Sequence, residues 1–198
     1  LHDALPIWHL EEALGLVRAS GARQAEGALS SGLGVLHQER GEIDRALVCH
    51  TRAVQIFREV GNRHREASAT YYLATTYLER GQRADAATLL EQALGVVRAL
   101  RVPRYEALIE GCRATLFAAA EDAARAALAL AAAERAADQC QSERTLLATV
   151  AIHRLYVLYA TSAPADAAAR ATMVDAARAL SLAHPGDDPR FALRAVIA

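Results

Sequence analysis

The chain has 198 residues, of which 22 are basic and 23 are acidic, and 53% are hydrophobic. This near-neutral balance shows no basic stripe with interleaved aromatics, which argues against nucleic-acid binding. No apolar run reaches the roughly 20 residues of a membrane helix, which argues against membrane insertion. Abundant Ala, Leu, Arg and Glu instead favour an all-helical protein, and the odd number of cysteines, 3, indicates reduced thiols in a cytoplasmic setting.

The N-terminal segment is interpreted as a non-native leader over residues 1–9. Residues 1–7 resemble the translation of a sequencing adapter, and no Met opens the chain, so we leave the leader out of fold reasoning. Residues 10–21 read as the second helix of a helix pair whose first helix is missing. We expect this end to be mobile or to self-associate because its apolar stripe has no partner. The stripe consists of Leu10, Ala13, Leu14 and Val17.

Two segments, 25–61 and 65–101, share a pattern of residues that recurs after 40 positions. Each predicts two amphipathic helices joined at a glycine turn, Gly41 or Gly81. The first segment carries Leu33, Gly34, His37, Gly41, Ala46, His50 and Ala53. The second carries Leu73, Ala74, Tyr77, Gly81, Ala86, Leu90 and Ala93.

The C-terminal half follows the same pattern less closely. Segment 104–138 predicts a third helix pair, although Arg113 takes the place of the leucine and Glu121 that of the turn glycine. Segment 142–183 predicts a fourth, degenerate pair. Residues 184–198 predict a loop followed by a short helix that caps the array.

This grid resembles the tetratricopeptide repeat. The resemblance implies an all-α fold, a right-handed α-solenoid of antiparallel helix pairs with about 3.5–4 repeats over residues 10–183. It also implies a protein-interaction scaffold without catalytic activity. The phrases LERG and GNRHREA are similar to repeats of bacterial signalling and transcription-regulatory proteins, and we interpret the chain as a fragment of one. The alternative is a solenoid that senses a small molecule and controls a missing effector domain.

Angular spacing on the first helix of each pair predicts a binding groove. At about 100° per residue, Tyr71 lies opposite Leu73 and Tyr77, so one side should pack and the other should face a partner. The groove is small and apolar, which favours a protein or peptide partner with an apolar segment. We expect Tyr71 to be an anchor there and Tyr77 to be packed. The predicted groove consists of Ser31, Val35, Gln38, Ser68, Tyr71, Thr75, Leu78, Leu108, Gly111, Thr115, Ala151 and Leu155.

Residues capable of catalysis or metal binding are interpreted structurally. His37, Cys49 and His50 form the one metal-like cluster of the sequence, but Cys49 projects about 100° away from His50 and zinc needs three or four ligands. Ser31–Gly34 lacks the third glycine and the preceding strand of a phosphate loop. The sequence therefore predicts no metal, no cofactor and no catalytic residue.

Overall fold

A computed structural model of the chain describes residues 5–140, 143–161 and 167–183. Within these ranges every regular element is an α-helix, which confirms the all-α helical-repeat prediction. The loop and short helix predicted at 184–198 lie outside the described residues. The helices are α1 (Leu5–Ser20), α2 (Arg23–Glu39), α3 (Ile43–Glu59), α4 (Arg63–Glu79), α5 (Arg83–Ala99), α6 (Pro103–Ala119), α7 (Ala123–Asp138), α8 (Arg144–Thr161) and α9 (Ala167–Ala183).

Each helix from α1 to α6 is followed by a turn residue with positive φ. Gly41 (φ 74°) and Gly81 (φ 81°) take this left-handed conformation without the steric cost of a Cβ. The following amide then reaches back over the helix end, as in the bond from Glu42 N to His37 O of 2.9 Å. Arg101 (φ 55°) and Glu121 (φ 59°) adopt the same backbone despite their side chains. The turn conformation is therefore kept at Arg101 and Glu121, where the sequence has no glycine.

The residues separate into two compact units, Leu1–Val96 and Val97–Ala198. In the first unit α2 packs on both α1 and α3, and α3 packs on α4. Its main core lies between these helices and contains Phe57 and Leu73, with Tyr77 partly buried against them. The small pattern residues Ala46 and Ala53 are completely buried.

The second unit is built in the same way from shorter side chains. α6 packs on α7 and on α8, and α8 packs on α9. Alanines dominate the core between α6, α7 and α8, where Ala114, Ala126 and Leu130 pack with Val157. Met173 and Ala177 of α9 pack on Ile152 of α8 in a second cluster. Small residues let these helices approach closely, as the repeat pattern predicts.

The N-terminal leader was wrongly left out of the fold. Helix α1 begins at Leu5, and Ile7 is only 7% exposed in a cluster with Leu14 and Leu33. Helix α2 therefore covers part of the stripe that was expected to lack a partner. Among the described side chains of α1, the large exposed apolar ones include Trp8 and Leu16, which project away from that cluster.

An arginine–glutamate contact recurs every 40 residues at the junction between one helix pair and the next. It joins Arg58 Nε to Glu66 Oε1 at 2.8 Å and Arg98 Nε to Glu106 Oε1 at 2.9 Å. The earlier copy, from Arg18 to Glu26, differs because Glu26 is buried and also forms salt bridges with Arg23 and Arg52. Burial alone would raise the pKa of Glu26, but hydrogen bonds from Arg52, Arg23 and Arg18 lower it.

None of the described helices is long and apolar enough to cross a membrane. The predicted helices between residues 10 and 183 all have counterparts, with ends that differ by a few residues. The grouping of these helices into repeats and flanking segments stays a prediction.

Candidate functional site

The structure does not present most of the predicted groove to solvent. Ser31, Val35, Ser68, Ala151 and Leu155 are half-buried. The other predicted groove residues are buried, so they cannot contact a partner while the helices stay packed. These are Gln38, Tyr71, Thr75, Leu78, Leu108, Gly111 and Thr115.

Tyr71 is the clearest correction. It is 1% exposed and is the largest of the completely buried side chains. Its ring meets that of Tyr72 edge to face, with ring centroids 5.1 Å apart. Tyr77, which was expected to be the packed residue of the pair, is only half-buried. The prediction assigned one packing side to a helix that packs against neighbours on several sides.

Gln38 shows where the predicted groove residues of the first unit lie. Its amide nitrogen donates to Glu79 Oε1 at 2.8 Å and to Thr75 Oγ1 at 3.3 Å, and its amide oxygen accepts from Thr76 Oγ1 at 3.1 Å. All of these bonds run from α2 to α4. This buried polar network joins the first helices of successive pairs, and it specifies their register because every bond must be satisfied.

Thr115 and Gly111 have a related role in the second unit. Thr115 Oγ1 lies 2.7 Å from His153 Nδ1 of α8, and Cys112 Sγ lies 3.9 Å from its Nε2. The imidazole fills the space above Gly111, where an added Cβ would approach it to 2.5 Å. Burial lowers the pKa of His153 to about 4. The imidazole, thiol and hydroxyl are all buried, so their arrangement serves packing and not nucleophilic chemistry.

His50 of α3 likewise packs against a glycine in the first unit. It is completely buried, its ring stacks on Tyr72 at 5.9 Å, and an added Cβ on Gly34 would approach it to 2.5 Å. Burial, with a smaller contribution from His37, lowers its pKa to about 3. Neither ring nitrogen has a hydrogen-bond partner. His37 instead pairs with Glu42 at 2.6 Å, and in the described ranges no group of three metal-ligating side chains occurs.

The first helices of the first unit expose a different face from the predicted one. On α4 the half-buried residues Ser68, Tyr72 and Glu79 lie about 60–100° around the helix from Tyr71. On α2 the half-buried residues include Ser31, Val35 and Glu39. Of these only Glu39 has its counterpart 40 residues later among the half-buried residues of α4, because Ser31 and Val35 correspond to the buried Tyr71 and Thr75. We call these six residues the accessible strip. Sequence reasoning found Ser31, Val35 and Ser68 but missed Tyr72 and the two glutamates.

Two observations could have located Tyr72. It adjoins Tyr71 in sequence, so one of the two rings must point away from the packed side. It also stands at the position of Gly32 in the preceding pair, where the small residue leaves room beside it. Neither observation decides by itself which tyrosine is accessible, because that depends on the contacts of α4 with its neighbouring helices.

In the second unit the predicted groove residues separate. Ala151 lines a cavity of about 310 Å³ together with Leu147 and Arg154, and Arg154 pairs with Glu134 at 3.6 Å. Leu155 packs instead against the cluster around Met173. These two residues therefore do not form one surface.

Helix pairs that recur every 40 residues, close at positive-φ turns and bury small residues between them define a helical-repeat protein. Residues 24–99 match the sequence profile of the tetratricopeptide repeat, so this part of the chain is similar to tetratricopeptide repeats, as the sequence predicted. Such repeats generally act as scaffolds for protein–protein interaction. No curated protein matches the chain.

Proposed function

We propose that this chain is a protein-interaction scaffold that binds an apolar segment of a partner protein along the accessible strip. The observation that carries the proposal is the tetratricopeptide match over residues 24–99. The accessible strip gives the location, since a repeat array binds partners with surfaces that its own packing leaves open. Tyr72 offers the aromatic anchor that interfaces often centre on, and Ser31, Val35 and Ser68 provide a small-residue surface on which a chain can lie closely.

The proposal places the chain in a cytoplasmic regulatory protein of a bacterium. Its support is the phrase-level similarity of LERG and GNRHREA to signalling and transcription-regulatory repeats. The three cysteines are free thiols, which suits a reducing compartment. In this setting the array would bring a partner to an effector domain or hold it away. We assign no catalytic role to the chain.

The experiment uses peptides selected from a random displayed library against the purified chain. A selected peptide is then titrated against the wild type, Ser68→Arg and Thr88→Arg. Ser68 and Thr88 are matched because each hydroxyl bonds a carbonyl of its own helix, Arg65 O at 2.9 Å and Ala84 O at 3.1 Å. Ser68 lies in the accessible strip, whereas Thr88 is exposed on α5.

We expect Ser68→Arg to weaken peptide binding by about tenfold or more, which is about 1.4 kcal/mol. Thr88→Arg should bind like the wild type. Equal binding by both variants would remove the accessible strip from the proposal. A selection that yields no peptide preferring the folded chain over the unfolded chain would contradict the scaffold function itself.

A further inference from the structure

The third helix pair departs from the repeat pattern at two neighbouring positions of α6. Glu110 stands where the preceding pair has Thr70, and Arg113 stands where it has Leu73. The Thr70 hydroxyl donates a hydrogen bond within its own helix to Glu66 O at 2.8 Å. Glu110 carries a charge in place of the hydroxyl, yet it is only 1% exposed. Burial of a carboxylate is costly unless cations pair with it, so this exchange needs a compensating arrangement.

Two arginines supply that compensation. Arg98 Nη2 donates to Glu110 Oε1 at 2.5 Å, and Arg113 Nη1 donates to Oε2 at 2.7 Å. Each carboxylate oxygen therefore holds one guanidinium group in place. Arg113 also lies over the ring of Phe117, 5.4 Å from its centroid, and Arg125 lies over the same ring at 4.8 Å. The buried carboxylate and the aromatic ring fix three cations close together.

These groups line a cavity of about 320 Å³ in the second unit. Four arginines reach it, Arg98, Arg113, Arg125 and Arg135, and Glu110 is the one carboxylate in its lining. Glu106 and Asp122 neutralise Arg98 and Arg125 from outside the lining. Arg135 donates no side-chain hydrogen bond within the described part of the chain and is exposed. The lining therefore keeps an excess of positive charge.

The cluster is specific to the third pair. Forty residues earlier the four arginine positions hold Arg58, Leu73, Asp85 and Gly95. That pair has one cation and one carboxylate at these positions. The accumulation of arginine in the third pair therefore does not follow from the repeat. It replaces the leucine that the pattern requires, although Leu73 shows that the apolar residue packs well.

We propose that this arginine-lined cavity binds an acidic segment of a protein partner, with carboxylates on Arg113, Arg125 and Arg135 and an apolar side chain between Phe117 and Leu128. Guanidinium groups bind carboxylates through paired, planar hydrogen bonds. Leu128 is 71% exposed and lines the cavity, so the occupant is amphipathic rather than purely acidic.

The site is separate from the predicted groove. Glu110, Arg113 and Phe117 lie about 200° around α6 from Leu108, Gly111 and Thr115. The described lining of the cavity comes only from residues 98–135, so it shares no residue with the accessible strip of α2 and α4. Failure of one proposal leaves the other intact.

The test uses synthetic peptides that carry a carboxylate on each side of a leucine, at each spacing within one helical turn. Matched peptides carry Asn and Gln in place of Asp and Glu. Binding is measured by fluorescence anisotropy at low and high salt, because an interaction of charged groups weakens as salt is added. The variants are Arg135→Gln, which removes an unpaired cation, and Arg144→Gln, which removes an exposed cation of α8 outside the cavity.

We expect an acidic peptide to bind, its amide counterpart to bind at least tenfold more weakly, and Arg135→Gln to weaken the acidic peptide several-fold. Arg144→Gln should leave binding unchanged. Equal binding of acidic and amide peptides, or equal loss in the two variants, would overturn the proposal. So would a phosphoserine peptide that binds while no carboxylate peptide does, because the cavity would then recognise phosphate.

Discussion

The side chain of Tyr71 fills the interior of the first unit. It is the largest completely buried side chain and touches the ring of Tyr72. We expect Tyr71→Ala to lower the free energy of unfolding by about 3–5 kcal/mol, because truncation of a buried aromatic leaves a cavity. Tyr77 is only half-buried, so Tyr77→Ala should cost less, about 1–2 kcal/mol.

Urea denaturation of the two tyrosine variants measures the difference. The order is the reverse of what angular spacing alone predicts. If Tyr77→Ala destabilised the protein more than Tyr71→Ala, the helix faces of the structure would be wrong and the original groove assignment would return.

Gly34 and His50 form an exchangeable pair. The second repeat has Ala74 and Leu90 at the same positions, and both are completely buried. Gly34→Ala alone should destabilise, because the new Cβ would lie 2.5 Å from the His50 ring. His50→Leu alone should stabilise by about 1–3 kcal/mol, because it removes two buried ring nitrogens without partners. The effects of the two substitutions on the free energy of unfolding should not add, because the clash of the added Cβ at position 34 with the imidazole is present only in the single variant Gly34→Ala.

The double variant Gly34→Ala/His50→Leu should therefore be at least as stable as His50→Leu, since alanine also favours the helix by about 1 kcal/mol over glycine. A double-mutant cycle from denaturant melts gives the coupling between the two positions. A coupling near zero would mean that the imidazole moves aside easily and that Gly34 is not required for its packing.

Buried histidines also make stability depend on pH. In the folded chain the pKa of His50 is about 3 and that of His153 is about 4. In the unfolded chain both take a pKa of about 6.5. The unfolded state therefore binds protons first as the pH falls below about 6.5, and stability is lost from there towards the folded pKa values.

Each buried histidine should lower the free energy of unfolding by roughly 1.4 kcal/mol for each pH unit that the pH falls in this window. Melts at about pH 7.5 and about pH 5.5 would show the loss, and His50→Leu should remove its own share. An unchanged pH dependence in His50→Leu would show that His50 takes up a proton readily in the folded chain.

At the scale of the element, the turns can be improved. Glu121 has φ 59° at the position where the two preceding helix pairs have Gly41 and Gly81. The left-handed conformation costs an ordinary residue about 1–2 kcal/mol, and glycine recovers part of this after its own entropy cost. We expect Glu121→Gly to stabilise the protein by about 0.5–1 kcal/mol in a thermal or denaturant melt.

Gly41→Ala is the matched control for the turn. Its φ is 74°, and an added Cβ would meet nothing within 4 Å, so the change tests backbone strain alone. It should destabilise by about 1 kcal/mol. If both substitutions were neutral, the positive φ at these turns would carry no measurable strain.

Helix positions were predictable because local signals determine them. Gly41 and Gly81 mark helix ends, and the apolar stripe of Ala86, Leu90 and Ala93 marks the buried face of a second helix. The exposed face of a first helix was not predictable in this way. Tyr71 and Tyr72 differ by about 100° on the helix, and only the contacts of α4 with neighbouring helices decide which of them is covered.

At the scale of the molecule, the contacts within each unit run between helices that are close in sequence. Within the first unit α1 packs mainly on α2, while α2 and α3 each have neighbours on two sides. Within the second unit α9 packs on α8, while α6, α7 and α8 pack on one another. In such arrays stability is a sum of terms for each repeat and each interface. The terminal helices therefore have fewer interfaces to stabilise them.

Amide hydrogen exchange with mass spectrometry should show this gradient. We expect α1 and α9 to exchange faster than α2–α4 and α6–α8, since local opening needs less free energy where fewer contacts break. Leu33→Ala, which empties the cluster with Ile7 and Leu14, should accelerate exchange in α1 and α2 but not in α8. Val48→Ala on the exposed face of α3 should change neither. Equal exchange in all helices, or acceleration of α8 by Leu33→Ala, would show that the chain opens as one cooperative unit and not repeat by repeat.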